Sequence, residues 1–224
     1  MNVLICCEES QVVCKAFRER GFNAFSCDLQ PCSGGFPEWH IQAPCQLVYH
    51  SNSSFVVQSG EKHTVLFWDL VIAHPPCTYL SKAGTRSYFH GGFNLHRYSL
   101  GLSAAEFFMS FYKLDCKYLA IENPVPLRMF DLPPYSQIIQ PFFFGDSFYK
   151  TTCLWLRGLP LLVLDNVVEN PVPCMSASWF NKGSGLIRQK NRSKTFPGIA
   201  RAMASQWGVF MLNGGFSPYQ LSFW

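Results

Sequence analysis

Residues 2–28, NVLICCEESQVVCKAFRERGFNAFSCD, decide the fold. The opening NVLICC is an unbroken apolar run, the pattern of a strand buried on both faces. The polar EESQ ends it. Val12, Val13, Ala16 and Phe17 then recur at helical spacing, and Gly21 stops the helix they predict. FNAFSCD is a second strand closing on an acid. Strand, helix and strand in this order predict a βαβ unit in a parallel sheet, with ligands expected at the strands' C-terminal ends.

Working outward, residues 30 to 66 read as loop-rich, with a hairpin in SFVVQSGEKHTVLFW. VLFWDLVIAH predicts a strand running into PPC. SLGLSAAEFFMSFYKL predicts an amphipathic helix capped by Ser99 or Ser103, and KYLAIENP and TTCLWL predict further strands. Residues 160–192 have little apolar periodicity and many Asn, Pro, Ser and Gly, so they read as a surface insert. FPGIARAMASQW predicts a helix started by Pro197, and residues 209–224 form an aromatic tail with no assigned structure. The expectation is one α/β domain over residues 1–208, mostly parallel, with helices on both faces of the sheet.

Composition narrows the class. The 224 residues are 48% hydrophobic and 14% charged, enough for a sizeable core. No apolar run reaches the roughly 18 residues of a membrane span, and MNVLICCEES lacks the basic start of a signal peptide. The reading therefore expects no membrane partner and a cytoplasmic location. Ten cysteines are scattered without one CxxC pair, so it assigns no metal and treats most thiols as small buried hydrophobes. The net charge of +4 is uneven: Asn170 to Trp224 contains no acid and six Lys or Arg, while the preceding chain carries −2. A basic C-terminal part on a near-neutral body suggests contact with a polyanion.

Chemistry concentrates at two strand ends. In HPPCTYL, Pro75 and Pro76 fix backbone torsions and remove two N–H groups, which mounts Cys77 stiffly. A cysteine so placed, facing free helix amides, is expected to have a lowered pKa and act as a nucleophile; its rival is a buried thiol in a turn. In AIENP, Glu122 ends the next strand, and neighbouring strand ends lie roughly 5 Å apart. Asp28 ends the second strand, where an acid commonly holds ribose hydroxyls.

The order of these parts resembles the DNA cytosine-5 methyltransferases, closest to short phage- and prophage-type members sharing CEES, HPPCTYL and SKTFPGIA. The resemblance covers roughly residues 1 to 208. It implies a Rossmann-like class I methyltransferase fold, S-adenosylmethionine as cofactor and DNA, duplex or single-stranded, as partner. It also implies methyl transfer to cytosine C5 through a covalent adduct, in a bacterial host cell. Residue by residue, Cys77 matches the nucleophile and Glu122 the cytosine-binding acid. Cys7, Glu8, Glu9, Ser10 and Gln11 occupy the place of the glycine-rich first motif. Asp28, with Leu29 beside it, matches the ribose-binding acid, while His74, Pro75 and Pro76 would line the cofactor side of the nucleophile loop. Thr195 and Phe196 fall in the motif that closes over the cofactor.

Asn123, Lys150 and Thr152 fall near the target base, the last two where the family carries Arg-x-Arg. Arg188, Lys190, Arg192 and Lys194 would contact phosphates. EES stands where a glycine-rich loop is usual, and HIQAPCQ lacks the acid that short members carry after PEWHI. APCQ at 43–46 spells a familiar nucleophile motif but follows no apolar strand, so Cys77 is chosen over Cys45. Two rivals stand beside this reading: an amino-group methyltransferase acting on N4 or N6, and a non-catalytic cofactor- or nucleic-acid-binding phage protein.

Overall fold

A computed structural model describes residues 1–216. The elements run β1 (Asn2–Cys6), α1 (Val12–Arg18), β2 (Asn23–Asp28), β3 (His40–Gln42), β4 (Ser53–Val56), β5 (Lys62–Val65) and β6 (Leu70–Ala73). Then come α2 (Arg86–Phe89), α3 (Leu95–Tyr112), β7 (Tyr118–Pro124), β8 (Gln137–Ile139), β9 (Phe148–Tyr149), β10 (Thr152–Arg157) and β11 (Val172–Pro173). The chain ends in α4 (Ser178–Asn181), α5 (Gly185–Ser193), α6 (Pro197–Ala202), a π turn (Met203–Trp207) and α7 (Gly208–Leu212).

Seven strands form one sheet in the order β3-β2-β1-β6-β7-β10-β8. β3, β2, β1, β6 and β7 pair in parallel, and β10 runs antiparallel to both its neighbours. The protein is thus α/β with a mostly parallel sheet, as the opening βαβ pattern predicts. The order reverses between β1 and β6, and it is beside such a switch that open α/β sheets leave a crevice.

Alternation along the strands divides the core. Val3, Ile5, Leu70, Ile72 and Ala120 face one cluster with Val13 and Phe17 of α1 and the C-terminal helices. Leu4, Cys6, Val71, Ala73 and Ile121 face the other, with Phe108 and Phe111 of α3 and the β4–β5 hairpin. Both faces are covered, so the central strands read as continuous apolar runs. Trp155 and Trp207 are fully buried, and each indole N–H is satisfied by a carbonyl, Pro133 at 2.7 Å and Pro160 at 3.0 Å. Truncating either would cost about 3–5 kcal/mol.

Several expectations are corrected. α3 starts earlier than SLGLS, capped by Asn94, whose Oδ1 accepts the Arg97 N–H at 2.8 Å. The Ser99 hydroxyl instead donates to the His96 carbonyl. Val65 belongs to the hairpin, so the strand before PPC is only Leu70–Ala73. Residues 160–192 are not merely a surface insert: Leu162, Cys174, Ala177 and Phe180 are buried in the first cluster. The aromatic tail starts inside a helix, with Met211 buried and Phe210 against Tyr118 at 5.9 Å; residues 217–224 lie outside the described residues.

Gly198 shows how tightly the last helices are joined to the sheet's edge. Its N–H donates to Asp146 Oδ2 at 2.9 Å, and an added Cβ would lie 2.2 Å from the Phe144 carbonyl oxygen. Backbone cannot yield as a side chain tip can. Gly198→Ala is expected to cost about 1–3 kcal/mol in denaturant unfolding, despite alanine's higher helix propensity.

Candidate active site

The crevice beside the switch is lined by Cys7, Glu8, Glu9, Ser10, Asp28, His74, Ser193, Lys194 and Thr195. Its floor is the loop between β1 and α1. Cys7 and Gln11 take φ of 60° and 59°, left-handed values that glycine adopts freely and other residues at a cost. The loop thus keeps the backbone shape a glycine-rich sequence would give, using side chains to hold it. Gln11 exchanges two hydrogen bonds with the Phe36 backbone, at 2.8 and 3.1 Å. The Ser33 N–H donates to the Glu9 carbonyl at 2.8 Å, and its hydroxyl donates to the Glu9 carboxylate. Gly34 packs so close that a Cβ there would meet Gln11 at 2.5 Å.

Glu8 turns back to cap α1: its two oxygens accept the Val13 and Cys14 N–H groups at 2.6 and 3.1 Å. Burial outweighs those bonds and the charge of His74, and pushes its pKa up to about 7. Asp28 accepts the Gln30 N–H at 2.8 Å, and burial likewise raises its pKa.

At the next strand ends, Ala73 pairs with Ile121, which brings the following residues side by side. His74 Nδ1 lies 2.9 Å from Glu122 Oε2, with the side chains 7% and 13% exposed. Burial is the largest single influence on each and works against charge. The mutual hydrogen bond and attraction outweigh it, aided by Glu8 at His74 and by Lys150 at Glu122. His74 is raised and Glu122 lowered, each drawn toward its charged form by the other. His74 Nε2 is buried with no partner, as are Glu9 Oε1 and Asn123 Oδ1. Asn123 Nδ2 donates to the Pro75 carbonyl at 2.7 Å and so ties the Pro-Pro loop to β7.

Cys77 sits half-buried on that loop, and its carbonyl accepts the Leu80 and Ser81 N–H groups of a tight turn. No helix begins behind it to lower its pKa. Burial foremost, then the Glu122 charge, raise the thiol's pKa, with Lys150 opposing. The expected lowered pKa is corrected: at rest Cys77 is a thiol. Cys45 of the APCQ stretch is buried, 4% exposed, in the second core cluster.

The basic segment folds over the crevice. Lys190 Nζ pairs with Glu9 Oε2 at 3.1 Å. Lys150 Nζ donates to the Arg192 carbonyl at 3.0 Å, and Arg192 in turn holds Asn181 and lies 5.4 Å over the Phe180 ring. Exposed Arg188 donates to the Gly183 carbonyl. Lys194 and Thr195 line the crevice, whereas Phe196 is buried in the core, Thr152 in the β10 ladder and Pro75 beneath the loop. Leu29 is 65% exposed, outside the crevice wall, and Pro76 is also exposed. Ser33, Gly34 and Lys190's bond to Glu9 were not legible beforehand; the SGG cluster marked only a loop.

No protein-family model matches the chain, and no curated protein matches it. Among the described residues, no helix is long and apolar enough to cross a membrane.

Glu8 provides a test of this electrostatic arrangement. Its folded pKa of about 7 lies above the 4.5 of an ordinary glutamate. Its contribution to stability is therefore present below pH 4.5 and lost as pH rises through about 7. Glu8→Gln should flatten this decline. Relative to the variant, the wild type should lose on the order of 1–3 kcal/mol between about pH 5 and pH 8 in urea unfolding.

Proposed function

We propose that this protein is an S-adenosylmethionine-dependent methyltransferase of Rossmann-like class I fold, acting on cytosine C5 in DNA through a covalent Cys77 adduct. One observation carries the reading: a stiffly mounted, half-buried Cys77 and a buried Glu122 belong to neighbouring parallel strand ends, close enough for the carboxylate to shift the thiol's pKa. The motif resemblance over residues 1 to 208 supports it, as does the crevice at the strand-order reversal beside them.

The donor set around the crevice suits an adenosyl amino acid. Asp28 can take ribose hydroxyls, and Glu9 Oε1 and His74 Nε2 are buried polar atoms in want of partners. When bound, this cofactor supplies a methyl group on a positively charged sulfur. Its crevice has a volume of about 50 Å³, well short of the roughly 300–1,000 Å³ of ligand pockets. Entry therefore requires the segment carrying Lys190 to move.

In the proposed reaction the Cys77 thiol gives its proton to solvent and its sulfur adds to C6 of cytosine. Glu122 gives or shares a proton at N3, which neutralises the ring as electrons move toward C5. His74 stands behind Glu122 as the proton reserve, refilling it along the 2.9 Å bond. Once a methyl stood on C5, the C5 proton would pass to solvent, the C6–S bond would break and the thiolate would be released as N3 returned its proton to Glu122. In duplex DNA the base must first be flipped out, at a cost of a few kcal/mol.

The size of the crevice favours a second reading, a non-catalytic binding protein of phage origin. An amino-group transfer fits less well, because the bond to Glu122 draws His74 toward the form with no acceptor for the substrate amine.

Tritium transfer from labelled S-adenosylmethionine to mixed DNA, RNA and deoxynucleotides tests the proposal. Wild type should label a cytosine-containing acceptor on C5. Cys77→Ser should abolish transfer, and Glu122→Gln should lower it about 10²–10⁴-fold. No transfer by wild type overturns the enzymatic reading, and label on the exocyclic nitrogen overturns the C5 assignment.

The pH profile is a separate check. With His74 and Cys77 both raised from the ordinary 6.5 and 9.0, the rate should be bell-shaped. His74→Gln should leave Cys77 reactive but remove the limb set by the imidazolium.

A further inference from the structure

Beyond Cys77 the chain enters a lobe, residues 78 to 98, bonded back to the nucleophile loop. Arg97 Nη2 donates to the Thr78 carbonyl at 2.8 Å, and the Tyr88 hydroxyl donates to the Tyr79 carbonyl at 2.6 Å. The Arg97 guanidinium also lies 5.0 and 4.9 Å from the Tyr79 and Tyr88 ring centres. Its inner side is therefore a firm extension of the loop. Its outer side is different: every residue from Phe89 to His96 is exposed.

Two rings stand in that exposed run. Phe89 and Phe93 are 56% and 47% exposed, with centroids 5.7 Å apart. Gly91 and Gly92, with φ of 75° and 119°, make the turn that brings them together. Neither ring is part of the core clusters; Phe93 only borders the second, through Tyr98 at 5.5 Å. The charge along this stretch of chain has one sign. From Leu70 to Ala105 the chain has no Asp or Glu, and it carries Lys82, Arg86 and Arg97. Lys82 and Arg86 are exposed. In the C-terminal basic segment, by contrast, Lys190 is paired with Glu9 and Arg192 with Asn181.

We propose that this lobe is a docking surface for an unpaired nucleic-acid strand, with bases stacking on Phe89 and Phe93 and phosphates on Lys82 and Arg86. Paired aromatic faces among cations suit a strand whose bases have free faces; in a duplex those faces are already stacked. The surface continues directly from Cys77, so a strand lying on it would lead toward the crevice. It deepens the methyltransferase reading by naming unpaired nucleic acid as the substrate class, and it rests on that reading only for what happens at Cys77.

Fluorescence anisotropy tests it without cofactor or turnover, using a labelled single strand of about 12 deoxycytidines and a hairpin duplex of similar length. Wild type should prefer the single strand. Phe89→Ala with Phe93→Ala should weaken that binding about tenfold or more while leaving thermal unfolding unchanged, since both rings are exposed. Lys82→Ala with Arg86→Ala should make the slope of log affinity on log salt shallower by about 1.4. Equal binding by the phenylalanine variant, or preference for the duplex, overturns the proposal. So does a wild-type dimer that this variant turns into a monomer with strand binding unaltered, which would assign the rings to self-association. Strand binding without methyl transfer would leave this surface standing and remove only the enzymatic reading.

Discussion

The buried contact between His74 and Glu122 is the constraint on which the arrangement of this site depends. Taking two ionisable groups out of water costs several kcal/mol each unless their geometry is good and their remaining atoms find partners. Here the geometry comes from backbone register: β6 and β7 are hydrogen-bonded neighbours, so the residue after Ala73 and the residue after Ile121 cannot drift apart without breaking the sheet. The pair in turn fixes the charge that Cys77 meets. Asn123, one residue further, holds Pro75 and so the loop on which the thiol is mounted. Three functional groups thus hang on one strand pairing.

A second set of constraints holds the first loop. Where glycine would adopt left-handed torsions freely, Cys7 and Gln11 adopt them under restraint from Gln11's bonds to Phe36 and from Ser33 and Gly34. Glu8 gives α1 the cap that Gln11 does not, at the expense of a carboxylate buried in competition with its own ionisation. This explains how EES can hold left-handed turns on either side of it without glycine. Its three polar side chains are 4–9% exposed, and those of Glu8 and Glu9 are engaged in the structure.

Much of this was legible in the residues. The apolar runs of β1 and β6, the helical spacing from Val12 to Phe17 and the stop at Gly21 all follow from periods of 2 and 3.6, and Gly21 does close α1 with φ of 82°. The placing of Cys77 and Glu122 at adjacent strand ends followed from the same patterns. What escaped depends on contacts between distant residues. The Asn94 cap lay outside the apolar period of α3. The reversed direction of β10 leaves no trace in TTCLWL, since either direction buries the same faces. Nor does a basic count tell which cations are already paired: Lys190, one of the six, has Glu9 beside it. The thiol's raised pKa is likewise a matter of surroundings, burial first and then the Glu122 charge, rather than of the two prolines.

The reversed strand has a consequence of its own. β10 enters the sheet at the rim where β6 and β7 leave it, Thr152 lying opposite Pro124. Segments that arrive there by different routes through the chain therefore share one doorway. Chain added between Lys150 and Thr152 would reshape that entrance without shifting the rungs of the parallel pairs in the seven-stranded sheet. The architecture separates what holds the molecule together from what it admits, leaving the second open to revision by changes in loop length alone.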